Sequence, residues 1–172
     1  MSCPTHKKDL SFIGLPDFSW SFNGAIIKSR VNFSGSAIME NRPMQGQSPY
    51  LVNTGIFYKN DKQQLDIALL YNRIGKRIIG VGRSEGTTSG NETLRVPDSY
   101  EMPRDVLDLS ISKKFGTHWE IKANVRDLLA QKVYYKEFVT ANLNSGGTKE
   151  VEQITRCFKP GRNIGLTVTY NL

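Results

Sequence analysis

The sequence predicts an all-β chain of antiparallel strands. Three observations predict it. Apolar residues recur at every second position in six segments, and helical spacing is hard to find. The segments are rich in β-branched and aromatic residues, which suit a pleated sheet. The connections between them run long, short, long, short, long, as strands that turn back on each other require.

The first segment carries Phe18, Trp20 and Phe22, with Ser19, Ser21 and Asn23 between them. The second alternates Tyr50, Val52, Thr54, Ile56 and Tyr58 with Leu51, Asn53, Gly55, Phe57 and Lys59. In the third, Leu65, Ile67, Leu69 and Tyr71 alternate with Asp66, Ala68, Leu70 and Asn72. The fourth sets Leu107, Leu109 and Ile111 against Asp108, Ser110 and Ser112. The fifth sets Trp119, Ile121, Ala123 and Val125 against Glu120, Lys122, Asn124 and Arg126. The last has Ile164, Leu166, Val168, Tyr170 and Leu172 around Gly165, Thr167, Thr169 and Asn171. Each segment therefore has one apolar and one polar face.

Two connections are short and polar, at 59–64 and 113–118. The other three, near 34–47, 83–104 and 138–157, read as long loops holding clusters such as SEGTTSGNET (84–93) and ANLNSGGTKE (141–150). That rhythm, with room for the about 9–11 residues that cross a bilayer at a tilt, predicts an antiparallel transmembrane β-barrel. Aromatic residues near strand ends (Trp20, Tyr50, Tyr58, Tyr71, Phe115, Trp119 and Tyr170) fit the interfacial girdles of such barrels. A soluble antiparallel sandwich also alternates, so a soluble all-β binding domain with basic loops is the alternative reading.

Composition narrows the function. The chain has 172 residues and a formal charge of +7, but its cations fall in short groups such as Lys7–Lys8 and Lys113–Lys114. No face or helix collects them, which argues against nucleic acid as a partner. No run approaches the about 18 apolar residues of a membrane helix. No secretory signal is read near the N-terminus. Cys3 and Cys157 lie too far apart in sequence to form a metal-ligand motif, and a disulfide between them stays open.

No catalytic constellation emerges, and an enzyme is not expected. Ser110 to Lys113 fits S-x-x-K, but the companion S-D-N and K-T-G elements are missing. Gly80-Val81-Gly82 lacks the third glycine and the helix of a dinucleotide loop. His6 and His118 are isolated, and Asp105 and Asp108, three apart on a strand, face opposite sides. No cofactor and no metal are expected.

Five phrases go beyond pattern. They are NRPMQGQSPYLVNTGIFYKN (41–60), LYNRIGKRI (70–78), PDSYEMPRDVLDLSISKKFG (97–116), IKANVRDLLAQK (121–132) and FKPGRNIGLTVTYNL (158–172). In this order they resemble the C-terminal strands of a TonB-dependent outer-membrane receptor of the Bacteroidetes type. The resemblance spans 17–172, and residues 1–16 read as an irregular leader outside it. It implies six strands of a roughly 22-stranded barrel, in a family that imports metal chelates, cobalamin or oligosaccharides. Six strands cannot close a barrel alone, since the smallest have about eight. The implied partners are outer-membrane lipid, the remaining barrel strands and the plug. The TonB complex would be reached only through that plug, and a surface lipoprotein is a further implied partner. Neither plug nor TonB-contacting box is read here, so the expectation is the last part of a receptor, not competent to transport alone. In that setting Arg83, Arg95, Tyr100 and Arg104 are placed at the extracellular mouth as candidate ligand contacts.

Overall fold

A computed structural model describes residues 6–9, 17–32, 41–82, 84–85, 94–142 and 148–172. All described regular structure is β, in antiparallel sheets. The strands are β1 (His6–Asp9), β2 (Phe18–Ile26), β3 (Tyr50–Asn60), β4 (Leu65–Ile74), β5 (Arg77–Gly80), β6 (Ser84–Glu85) and β7 (Leu94–Arg95). They continue with β8 (Ser99–Glu101), β9 (Arg104–Phe115), β10 (Trp119–Arg126), β11 (Val133–Asn142), β12 (Thr148–Phe158) and β13 (Asn163–Tyr170).

The six alternating segments are β2, β3, β4, β9, β10 and β13. They lie side by side in that order in a seven-stranded sheet, with β1 on the outside of β2. Strand β1 falls inside the segment expected to be irregular. Backbone pairing with Ser19–Phe22 orders these four residues, although they carry no apolar alternation. The last strand stops at Tyr170, so Leu172 lies beyond it and is fully exposed. The sheet does not close: β1 and β13 are its two margins.

A second sheet, in the order β5-β8-β11-β12, corrects the expectation of long loops. Segment 138–157 contributes to a hairpin of β11 and β12, and β8 lies within 83–104. The lateral order β4-β9-β10-β13 of the first sheet is repeated as β5-β8-β11-β12 in the second. Each of these four strands therefore continues across a break at the same level.

The sequence supplies a breaker at each crossing. On β4/β5 it is Gly75, where a Cβ would stand 2.7 Å from the Tyr50 ring. On β8/β9 it is Pro103, which has no N–H for the ladder. Between β10 and β11, Asp127 and Ala130 take positive φ (53° and 47°), and between β12 and β13 Pro160 precedes Gly161 at φ 85°. Bonds carry the ladders of each sheet up to the crease: Gly75 N–H to Tyr50 O (3.1 Å) and Leu128 N–H to Leu107 O (2.7 Å) on the first sheet's side, and Met102 N–H to Tyr134 O (3.0 Å) on the second's.

Apart from Gly55 in mid-β3, burial among the described residues lies at this crease and in the second sheet. Among the described residues the buried apolar side chains are Ile78, Ala130 and Val133, the buried polar ones Ser48 and Asp127, and no side chain is fully enclosed. No layer of described residues packs over either face of the first sheet.

Candidate functional site

Register decides the character of the first sheet. Trp20 pairs with Ile56, Ile56 with Leu69, Leu69 with Leu109, Leu109 with Val125 and Val125 with Ile164. Paired residues share a face, so the apolar sides of all six strands add up to one surface. No described residue layer covers it: Ile164 is 75% exposed and Leu166 70%, and Ile56, Ile111 and Ile121 are also exposed. Along β4 the apolar stretch from Leu65 to Tyr71 covers roughly 20 Å of strand.

The margins of this surface are aromatic and polar. At the short-turn end Phe18 stacks on Tyr58 (4.8 Å between centroids) and Trp119 on Tyr170 (4.8 Å), with Phe115 beside Trp119 in register. At the crease end Arg73 donates to Asp105 (2.6 Å) and the Tyr71 hydroxyl donates to the same oxygen (2.6 Å). Arg73 also donates to the Tyr50 hydroxyl (3.3 Å), and Gln131 accepts from the Asp105 N–H (3.0 Å). Within the surface the Trp20 indole N–H donates to Thr54 (2.8 Å), whose hydroxyl donates to Ser21 O (3.0 Å). A polar group on an apolar face thus has an internal partner.

The opposite face is mainly polar, although Phe57, Leu70 and Val106 also lie on it. Asn23, Asn53 and Asn72 stand in one cross-strand row, and the Asn72 amide donates to Asn53. With Ser21 and Asp108 they line a shallow groove of about 300 Å³. Further along, Ser112 donates to Glu120 (2.8 Å), while Thr167 and Thr169 face the same side as Lys122 and Glu120, their register partners. Asp105 and Asp108 do point to opposite faces: Asp105 holds Arg73, and Asp108 accepts the Asp127 N–H (2.8 Å).

The four mouth candidates do not assemble into one site. Arg83 lies outside the described residues, and Arg95 is placed only by its backbone pairing with Ser84. Arg104 is held at the crease by Asp127 (2.8 Å). Tyr100 lies on β8, edge-on to Phe138 (5.6 Å). The Lys76 ammonium sits 4.1 Å from the Tyr100 ring and 4.0 Å from the Phe138 ring. Burial pushes the Tyr100 phenol above its ordinary value, and the charge of Asp98 adds to the rise against that of Arg42. Lys76 and Phe138 carried no alternation signal, because they meet only across the second sheet. Also unforeseen is Arg42, which donates to Asp98 (2.5 Å) and ties the 41–48 segment to the second sheet.

No group of three or more His, Cys, Asp or Glu residues among those described is placed to hold a metal ion. Cys157 is exposed and unpaired, and Cys3 lies outside the described residues. Among the described residues no helix is long and apolar enough to cross a membrane. No protein-family model, curated protein or solved structure matches the chain.

Proposed function

We propose that the chain is a wall segment of an outer-membrane β-barrel, with the first sheet spanning the bilayer and the second standing beyond it. One observation carries the reading. Six strands share a register that sets Trp20, Ile56, Leu69, Leu109, Val125 and Ile164 on one face that no described layer covers, bounded by aromatic rings and opposed by a mainly polar face of Ser, Thr, Asn and charged residues that also carries Phe57, Leu70 and Val106. A soluble sandwich buries such a face against a second layer, and among the described residues no layer lies over it. In lipid the same face is satisfied, while Asn23, Asn53, Asn72 and Asp108 line a wet interior.

Within this reading the five quoted phrases support a finer one: the closing strands of a TonB-dependent receptor. Such a segment serves the import of scarce ligands only together with the remaining strands and the plug, and it has no catalytic role. Lipid and those absent strands are its partners.

Fractionation of cells that express the chain behind an export signal tests the membrane reading. Recovery with the outer membrane, and aggregation of purified chain without detergent, are expected. A stable, monodisperse protein in detergent-free buffer would overturn it in favour of a soluble binding domain. The receptor reading is tested by co-expressing the preceding coding region of the source genome. It predicts a signal peptide, a plug and further strands there, and an unrelated gene would sink it.

A further inference from the structure

Strand β13 is an open edge without protection. Asn163–Tyr170 contains no charge, no proline and no bulge, and it is paired on one side only, by β10. Edges left free in natural sheets are short, charged, kinked or covered. The other margins of this molecule follow that rule. The charged four-residue β1, HKKD, covers Ser19–Phe22 of β2. Gly46 N–H and the Gln45 amide donate to the Ile78 and Ile79 carbonyls on the outside of β5.

Strand β1 does not qualify as part of a membrane wall. It has four residues, where a tilted crossing takes about 9–11. Parity also excludes it. Every neighbouring pair in the first sheet is antiparallel, so the seventh strand, β13, runs parallel to β1 and antiparallel to β2. A closed wall whose strands alternate throughout is satisfied by β13 against β2, not by β13 against β1.

The two edges that remain are complementary. Laid antiparallel with Phe18 opposite Tyr170, β2 sets Trp20 against Val168, Phe22 against Leu166 and Gly24 against Ile164. The intervening positions then match Ser19 with Thr169, Ser21 with Thr167 and Asn23 with Gly165. On the apolar face two aromatics meet at Phe18 and Tyr170 and the next two rings meet aliphatic residues, while the other face brings together the small residues Ser19, Ser21, Thr167, Thr169 and Gly165 with Asn23. The aromatic margin of Trp119 and Tyr170 runs on into Phe18 and Tyr58. A slip of one residue destroys both matches. Within one copy these edges lie at opposite ends of six strands, too few to bring them together.

We infer that β13 of one copy pairs antiparallel with β2 of a second copy, with β1 displaced from β2. The inference rests on the membrane-wall reading and not on the finer receptor reading, in which the receptor's remaining strands would occupy the same edge.

Purified chain in which both cysteines are replaced by serine tests it. Ser21→Cys and Thr167→Cys variants are mixed unfolded, refolded together into detergent micelles and oxidised. A disulfide-linked dimer is expected, with several-fold less from Ser21→Cys mixed with Val168→Cys, whose side chain points to the other face. Equal yields from the two mixtures overturn the pairing. Deleting residues 1–10 is expected to raise the dimer yield, and an unchanged or lower yield overturns the displacement of β1. A chain that needs detergent yet scatters light as a monomer overturns the inference alone. A monomer stable without detergent overturns it together with the membrane reading.

Discussion

Lysine at position 109 and lysine at position 110 should meet opposite fates. Leu109 lies at the centre of the apolar face between Leu69 and Val125, whereas Ser110 pairs with Ala68 and Asn124 on the polar side. In lipid vesicles Leu109→Lys is expected to cost about 2–4 kcal/mol and Ser110→Lys close to nothing, read from the shift in denaturant midpoint. Equal effects would show that the two faces meet the same medium. Tyr100 offers a second measurement, in the sheet beyond the crease. Its pKa is raised by burial, so the folded value lies above the unfolded one of about 10. The sign follows: the stabilisation is fully present below the unfolded value and is lost as pH rises through the folded value. In a phenolate absorbance titration Tyr100 should ionise late, and subtracting the Tyr100→Phe curve should isolate a step above pH 10. A step at the ordinary value would show that the ring is solvated.

A single alanine inserted between Ala68 and Leu69 should abolish insertion into lipid, because the rest of β4 would turn its apolar residues to the polar side. The same insertion in the 61–64 turn should be tolerated, since that turn has no face to keep. Membrane flotation of the two variants makes the comparison. The argument from period also explains what could be read in the sequence. Strands β2, β3, β4, β9, β10 and β13 were legible because each carries a run of apolar residues on alternate positions, the period of two of a strand with unlike faces. Strands β11 and β12 mix polar and apolar residues on both faces, and their register slips at Tyr135/Lys136, so no alternation survives. Strands β5 and β8 are too short to show a period. Among the mouth candidates, charge and exposure could not distinguish a free Arg104 from one held by Asp127, because that partner lies 23 residues away across the crease.

At the scale of the whole molecule, the first sheet has a direction across it, and the few buried apolar side chains among the described residues lie at the crease and in the second sheet. A soluble domain of this length places its apolar residues in a shared centre, and here they share a side. That arrangement makes stability a property of the surroundings, with vesicles, detergent or further strands supplying what a core would. It also gives the protein a built-in optical reporter. Its two tryptophans, Trp20 and Trp119, both belong to the apolar face. Intrinsic emission therefore samples that one side and ignores the other. Transfer from denaturant into vesicles should move the spectrum to shorter wavelength, and lipids brominated along their acyl chains should quench both indoles, whereas a quencher restricted to water should reach neither efficiently. Efficient quenching from the aqueous phase would mean that the apolar face is wet.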